Sequence, residues 1–447
     1  MRPLVLAALA VVAVPAAAQA LTLPEAVERA LARFPAVEAA RARQQEAEEA
    51  LGEARASRRP RGRVTGSATQ YQEPMVVTPI HGFGPGLFPE FDETLGQATL
   101  TVSYPLLDNG GIDAQVRSAG SQLEAAGAAV GSAEQLLARR VAAAYLAALG
   151  QSQVLAAHDH RLDALRAELS RVQQRYDVGR AAKVEILRAE AALANAEADR
   201  VRLSSAVDNA ERELARLLDS PLDETRAARL VPVRVEGGPV SSEAREELAA
   251  AGIEASPAVA QARSQVAAAE AGTALARSIL RPDVRAVGNY NEWTSSQGNF
   301  TGEWNVGLQL TVPLFDGGVT RRRIARAEAG VTAAQEQVRL AEVQVREDVD
   351  RAAAAAEEAE ARIASLAKAE ERFAEVVRVQ KLMLDEGAGT QTDYLNAEAD
   401  LLGVRASLAE ARHAAALARV DLARAAGLLT PEWLRQNLMQ ATPETSR

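Results

Sequence analysis

A duplicated stretch constrains the fold of this chain more than any other sequence feature. Residues 104–111 read YPLLDNGG and residues 312–318 read VPLFDGG. Each stretch follows an alternating, strand-like run and precedes a long helix. Proline can end a strand, aspartate can cap a helix, and glycine lets the chain turn between them. Both stretches are therefore predicted to be strand-to-helix joints, formed by Pro105, Asp108 and Gly110 in copy one and by Pro313, Asp316, Gly317 and Gly318 in copy two.

A second landmark follows each joint at the same distance. Residues 176–180 read YDVGR and residues 384–388 read LDEGA, and both Pro105 to Pro313 and Gly179 to Gly387 span 208 residues. Upstream landmarks such as Pro35 and its counterpart in copy two are 222 residues apart. The difference of 14 residues is assigned to a longer loop, 72–93, in copy one. The chain is thus predicted to be a tandem duplication.

Composition excludes several classes of protein. The 447 residues are 48% hydrophobic but only 4% aromatic, and the abundance of alanine favours close-packed helices over a large globular core. Fifty basic and 60 acidic residues give a formal charge of −10, which opposes nucleic-acid binding. The absence of cysteine excludes disulfides, thiolate metal sites and a lipidated N-terminal cysteine.

Residues 1–20 are predicted to be an export signal. Arg2 precedes an apolar run at 4–14, and small residues end at Ala20, the expected cleavage site. An apolar run of about 11 residues is shorter than the roughly 20 that a membrane-spanning helix needs. We therefore expect the mature chain to begin at Leu21.

Alternating segments predict one β-hairpin in each copy, at about 60–105 and about 282–313. In the last strand the apolar side chains all fall on one face. This pattern is typical of a lipid-facing strand with aromatic residues at its ends, or of an ordinary half-buried sheet. The aromatic residues near the strand ends are Tyr71, Tyr104, Tyr290, Trp293, Trp304 and Phe315.

The helices carry a seven-residue apolar repeat, from Val116 to Val172 and from Ile324 to Phe373, which predicts coiled-coil packing. The first long helix would measure roughly 95 Å at 1.5 Å per residue. We expect two structural repeats, 21–218 and 256–427, joined by a mid-height linker, 219–255, and followed by a tail, 428–447. Within the repeats the predicted long helices are about 112–178 and 319–386, and the return helices about 182–218 and 390–427.

Four strands in two separated hairpins leave open edges, which need partners in lipid or in water. Membrane barrels contain at least about eight strands, so several chains would have to share one. Their helices would then continue the barrel as a hollow cylinder. A second hypothesis is a water-soluble periplasmic coiled-coil scaffold whose hairpins dock to a partner. The apolar strand face favours the channel.

The joint at 313–318 and the turn at 176–179, each with its second copy, resemble those of the TolC-type outer membrane efflux protein family. The resemblance covers the whole mature chain. It implies a mainly α-helical homotrimer with a shared outer membrane β-barrel of about 12 strands and a long periplasmic helical tunnel. It also implies the exit duct of a tripartite efflux pump or of type I protein secretion, served by a periplasmic adaptor and an inner membrane transporter, without a cofactor. Drug, metal and protein cargo are not distinguished by the sequence.

The resemblance also places two sites by position. The family's adaptor-contact turns correspond here to Val178, Gly179, Arg180, Gly387, Ala388 and Gly389. The acidic pore constriction corresponds to Asp393 and Asn396 in copy two and to Glu185 and Arg188 in copy one. A ring of Asp393 would favour cations. Leu384 and Gly389 replace the tyrosine and arginine with which the family closes its tunnel, so the tightness of the resting state is left open.

The remaining groups of polar residues predict neither a metal site nor a catalytic site. His158 and His160 flank Asp159, but residues two apart on a helix point to different faces. We therefore predict no metal site. The sequence shows no Ser-His-Asp set and no phosphate-binding loop, so an enzyme is not expected.

Overall fold

The computed structural model describes residues 20–79, 89–235 and 241–440. Of the predicted export signal, only Ala20 lies within the described residues. The helices are α1 (Leu23–Arg33), α2 (Pro35–Ala56), α3 (Gly111–Asp177), α4 (Lys183–Leu217), α5 (Leu222–Ala227), α6 (Ser242–Ala255), α7 (Pro257–Ser278), α8 (Val319–Asp385), α9 (Gln391–Ala425) and α10 (Pro431–Asn437). The strands are β1 (Ala20–Leu21), β2 (Arg61–Val76), β3 (Phe91–Leu107), β4 (Arg229–Leu230), β5 (Val233–Val235), β6 (Asp283–Thr294), β7 (Phe300–Thr311) and β8 (Leu438–Gln440).

The duplication is visible in the lengths of the helices. The long helices α3 and α8 have 67 residues each, and the return helices α4 and α9 have 35 each. Among the described residues, none of the helices combines the length and apolar character needed to cross a membrane. The chain divides into two compact units, a sheet-bearing unit (Ala40–Val130 and Ala258–Ala341) and a mostly helical unit formed by the remaining described residues.

The sheet-bearing unit contains one four-stranded antiparallel sheet in the order β2-β3-β6-β7. The two hairpins pair with each other along β3 and β6, from Gly96↔Thr294 to Leu107↔Val284. The sheet therefore joins the two copies of the repeat. The helices of this unit pack through small contacts, in which Leu51 and Ala54 of α2 meet Ala119 of α3.

The strands of copy one are longer than the sequence predicts. β2 continues to Val76 and β3 begins at Phe91, so both intrude into the predicted loop 72–93; residues 80–88 lie outside the described part. β3 also passes Pro105, and its pairing with β6 becomes irregular between Pro105 and Leu107 because proline has no N–H to donate. In copy two the strand ends at Thr311, before Pro313.

The joint aspartates receive the first N–H groups of the long helices. Asp108 accepts hydrogen bonds from the N–H groups of Gly110, at 3.4 Å, and Ile112. Asp316 accepts from Gly318 at 2.9 Å and Thr320 at 2.7 Å. The hydrogen bonds from Thr320 lower the pKa of Asp316 below its ordinary value. Glycines with φ near +80° follow each aspartate, which explains the glycine in each joint.

The helical unit confirms the predicted seven-residue repeat. In α3 the repeat positions 137, 144, 158, 165 and 172 are buried, and in α8 the positions 345, 352 and 359 are buried while the others are half-buried. Alanine contributes to this packing at the seam positions 144, 352 and 359, and Ala249 on α6 clusters with Ala353 on α8 and Ala425 on α9. Ion pairs such as Arg405–Glu370 (3.0 Å) and Arg424–Asp348 (2.8 Å) link α9 to α8.

The segment predicted as a linker, 219–255, contains folded elements. It holds α5, β4, β5 and α6; β4 pairs in parallel with β1, and β5 pairs with β8 of the predicted tail. Tyr145 on α3 is fully buried and holds this region to the helix through hydrogen bonds. Its hydroxyl lies 2.7 Å from the Leu21 carbonyl and accepts from the Val231 N–H at 2.8 Å. Burial raises the pKa of Tyr145. The sequence does not indicate this packing because the strands are only two or three residues long.

Candidate functional site

The turn between α3 and α4 is a glycine-terminated helix end. The Arg180 N–H donates to the Arg175 carbonyl at 2.7 Å, and the Gly179 N–H donates to the Tyr176 carbonyl at 2.8 Å. With Gly179 at φ +74°, this is a Schellman motif, which satisfies carbonyls that the end of a helix leaves unpaired. The motif reverses the chain within a few residues.

The turn between α8 and α9 repeats this geometry. The Ala388 N–H donates to the Met383 carbonyl at 2.8 Å, Gly387 donates to Leu384 at 3.2 Å, and Gly387 has φ +75°. Gly389 donates to the same Met383 carbonyl at 2.9 Å and packs closely on it, since an added Cβ would lie 3.0 Å from the Met383 Cβ.

Both turns present open surface. A Cβ added at Gly179 or at Gly387 would meet nothing within 4 Å, and the neighbouring Val178 side chain is 68% exposed. The two glycines are therefore needed for backbone conformation within the chain, while the space in front of them is free to admit another backbone.

The predicted constriction residues of copy two lie on one face of α9, just after the turn. Thr390 caps the helix, accepting from the Asp393 N–H at 3.2 Å and donating to the Asp393 carboxylate at 2.6 Å. Asp393 and Asn396 are exposed and three residues apart, so they share a face. The carboxylate also lies in the first turn of the helix, where the helix dipole favours negative charge. Within the described residues, Asp393 forms no ion pair.

In copy one, Glu185 has partners inside the chain. Its carboxylate accepts from the Ala182 N–H at 3.2 Å and lies 4.0 Å from the Arg175 guanidinium. Arg188 reaches across to α9 and donates to the Thr392 hydroxyl at 3.1 Å. The end of α3 thus supplies Glu185 with an arginine partner within the same copy of the repeat.

A buried polar cluster that the sequence did not indicate lies close to this face. Glu168 on α3 is 3% exposed and lies 3.5 Å from the Gln391 amide of α9, while Arg171 contacts Glu168 at 3.0 Å. Tyr394 donates to Glu398 at 2.5 Å, and burial together with this hydrogen bond raises the pKa of Tyr394. Glu168 and Gln391 are 223 residues apart in sequence, so no local pattern could have indicated the pair.

One face of the sheet is apolar and exposed. Trp304, Val306 and Leu308 are each 73% exposed, and directly opposite them on β6 stand Tyr290, Gly288 and Ala286. The same face continues across β3 and β2. This is the apolar face predicted from the alternation of residues in β7. Its members on the inner strand β3 are Ala98, Leu100, Val102 and Tyr104.

The opposite face is polar and internally hydrogen-bonded. Thr99 donates to Asn291 at 2.8 Å, Thr101 to Asn289 at 2.8 Å, and Asn289 to Asn305 at 3.0 Å. Two of the aromatic residues named above near the strand ends, Tyr71 and Trp293, lie on this side. Trp293 pairs with Gln97, which pairs with Ser67, and Tyr71 lies beside them. These two residues therefore do not belong to the apolar face, because the period-two alternation places them on the other side of the sheet.

His158 and Asp159 of α3 lie in different environments. His158 is buried, with its Nε2 2.8 Å from the Ala196 carbonyl, and Asp159 accepts from Arg200 at 2.7 Å. Within the described residues, no group of three or more His, Cys, Asp or Glu side chains is placed to hold a metal ion. The buried histidine has a structural role in helix packing.

A four-stranded sheet with one exposed apolar face, in a chain that also contains two copies of a long-helix pair, is the combination expected of an outer membrane channel protein. The chain matches the family of outer membrane efflux proteins over residues 26–220 and 250–428, and it belongs to that family. This confirms the predicted family and the predicted efflux function. The family is one of transport channels rather than of enzymes.

Individual relatives agree with this assignment. The outer membrane efflux protein BepC of Brucella suis is 24% identical over 379 residues, which cover 82% of this chain and 80% of BepC. The solved structure of the outer membrane protein VceC from Vibrio cholerae shares 21% identity, with a TM-score of 0.75 over 91% of this chain and 96% of VceC. The Campylobacter jejuni CmeC outer membrane channel shares 16% identity, with a TM-score of 0.76 over 91% of this chain and 85% of CmeC. These structures confirm the predicted fold class for the single chain, which is mainly α-helical with a β-sheet portion.

Proposed function

We propose that this chain is the outer membrane exit channel of a tripartite efflux pump, acting as a homotrimer with a periplasmic adaptor and an inner membrane transporter. The observation that carries the proposal is the sheet. Its apolar face is exposed, and among the described residues β2 pairs only with β3, and β7 only with β6. A sheet with such a face and two free edges needs lipid on one side and further strands at both edges.

The strand directions fit closure by copies of the same chain. Since β2, β3, β6 and β7 alternate in direction, the β7 edge of one copy is antiparallel to the β2 edge of the next. Three copies of the four-stranded sheet then give twelve alternating strands, an even number as in bacterial outer membrane barrels. The head-to-tail contact closes on itself under threefold symmetry. The polar face would line the lumen.

The helical turns support the proposed roles of the two sites. Gly179 and Gly387 hold exposed turns with free space in front of them, as docking of an adaptor's helical hairpins requires. Asp393 and Asn396 share an exposed face beside one of these turns. A threefold ring of Asp393 carboxylates would attract cations and oppose anions.

The exposed apolar face also favours the channel hypothesis over that of a water-soluble scaffold. Leu308 and Leu310 are 73% and 64% exposed, and a soluble protein with this face and free strand edges would aggregate. The same features serve efflux and type I secretion alike, and the match to the efflux family favours efflux.

The native mass of the protein tests this function. We expect extraction from isolated outer membranes in mild detergent to give a particle of three chains after correction for bound detergent. A monomer or dimer recovered from the soluble periplasm without detergent would refute the channel.

A further inference from the structure

A cavity of about 550 Å³ opens on the polar face of the sheet, near the turn end of the first hairpin. Ser67, Thr69 and Gln97 form part of its lining. Tyr71, Leu95 and Trp293 are also in the lining, and the segment Met75–Pro79 completes it. We call this cavity the aromatic cradle. Its size lies within the range of roughly 300–1,000 Å³ that is usual for small-molecule sites.

The extra residues of copy one build the cradle. The pairing of β2 with β3 shifts between Gln70 and Met75 and then resumes at Met75↔Asp92. Val77 is 5% exposed, and its N–H donates to the Glu90 carbonyl at 2.9 Å, so the segment that closes the cradle is fixed by hydrogen bonds. In copy two β6 and β7 are joined directly across residues 295–299, without a corresponding segment. The channel architecture thus does not itself require this cavity.

The chemistry of the cradle differs from that of the surrounding polar face. Tyr71 and Trp293 contribute aromatic rings, Met75 a thioether, and Thr69 and Gln97 hydrogen-bonding groups. No Lys, Arg, Asp or Glu side chain lines the cavity among the described residues.

The strand beside the cradle is acidic. Glu90 immediately precedes β3, and Asp92 stands opposite Met75 in the register. Both carboxylates also accept hydrogen bonds from the second hairpin. Ser295 donates to Glu90 at 2.5 Å, and Ser296 donates to Asp92 at 2.6 Å. Tyrosine and tryptophan rings attract cations over their faces, and the nearby carboxylates add to this attraction.

We propose that the aromatic cradle is a binding site for planar aromatic cations that leave through the channel. The ring systems of such a molecule would contact Tyr71 and Trp293, while its polar groups would face the hydroxyl and amide groups of the lining. The transport role of the site rests on the proposed function, because the polar face becomes a lumen only in the shared barrel. Binding itself requires only the one chain that forms the cavity.

Ethidium, a planar aromatic cation, is the probe for this site. Its binding to the purified full-length protein in detergent is followed by fluorescence anisotropy, with the planar aromatic dianion fluorescein for comparison. We expect saturable ethidium binding, and Trp293→Leu or Tyr71→Leu to raise Kd about tenfold, a size consistent with loss of a cation–π contact. Trp293→Phe, which keeps an aromatic ring, should restore most of the affinity. Fluorescein should bind at least about tenfold more weakly than ethidium.

Trp304→Leu and Tyr290→Leu are matched controls, because they remove the same residue types from the opposite face of the sheet. Both should bind ethidium as the unmodified protein does. The proposal is overturned if ethidium does not saturate, if Trp293→Leu binds it unchanged, or if the control variants lose as much affinity. Equal affinity for fluorescein would overturn the preference for cations. Native mass is read from the same samples, so a trimer without cradle binding refutes the cradle alone, while a non-trimeric protein refutes the proposed function.

Discussion

The two turn glycines allow backbone strain to be separated from contact with a partner. Gly179 and Gly387 have φ values of +74° and +75°, and an added Cβ at either would meet nothing within 4 Å. Any cost of substitution within the chain is therefore conformational rather than steric. Replacing both glycines at once by asparagine, by alanine or by valine gives three double variants that differ in backbone strain and in side-chain size.

The magnitudes follow from these angles. A left-handed conformation costs an ordinary L-residue roughly 1–2 kcal/mol, whereas asparagine adopts it readily. Valine, being β-branched, is the most strained of the three. If the glycines serve only to end the helices, asparagine should be tolerated best. If another backbone packs on them, the asparagine side chain should cost about 1–3 kcal/mol as an overpacked contact, which is about tenfold to hundredfold in affinity.

We expect the contact to dominate. The double variant Gly179→Asn/Gly387→Asn should bind an immobilised periplasmic adaptor at least about tenfold more weakly in surface plasmon resonance, and the alanine pair should lose less. Both should keep the native mass of the unmodified protein, since the turns lie far in sequence from the sheet. Adaptor binding that is normal with asparagine and lost with alanine and valine would show that strain alone matters and would refute the contact role.

Four further predictions address other parts of the chain. Asp393→Asn keeps an acceptor for Thr390 but removes the charge, so cation preference in bilayer recordings should weaken; an unchanged reversal potential would place Asp393 outside the constriction. Trp304→Lys on the apolar face should reduce membrane assembly, because a lysine that faces lipid costs up to roughly 2–4 kcal/mol of free energy at the bilayer midplane. Asn305→Lys on the polar face should assemble normally. Tyr145→Phe removes one of the two acceptors of the Val231 N–H, leaving the Leu21 carbonyl at 3.2 Å as the other. The expected cost is that of a typical hydrogen bond, about 0.5–1.5 kcal/mol, and amide exchange at residue 231 should accelerate correspondingly; unchanged exchange would show that Tyr145 does not hold this segment. Burial lowers the pKa of His413 below its ordinary value of 6.5, so the folded chain binds fewer protons than the unfolded one. The associated stability is complete above 6.5 and is lost as pH falls through the folded-state pKa; thermal unfolding of His413→Leu should be less sensitive to acid, and equal sensitivity would contradict this.

Local patterns in the sequence predicted the repeating elements closely. The long helices were expected at about 112–178 and 319–386 and span Gly111–Asp177 and Val319–Asp385. Their seam follows from a seven-residue spacing and the strand faces from a two-residue spacing, and both periods are properties of the backbone itself. Turn glycines and joint aspartates were recognisable for the same reason, because positive φ and helix capping need particular residues at particular positions.

The tertiary structure decided which distant segments pair with each other, which no local repeat in the sequence encodes. The pairing of β3 with β6, the contact of Glu168 with Gln391, and the attachment of β1 to β4 all join segments far apart in sequence. It also placed Tyr71 and Trp293 in a cavity on the polar face, although aromatic residues near strand ends are typical of lipid-facing strands. The physical reason is that composition and spacing specify which side of a strand or helix is apolar, whereas the partner that covers each side depends on contacts between distant parts of the chain.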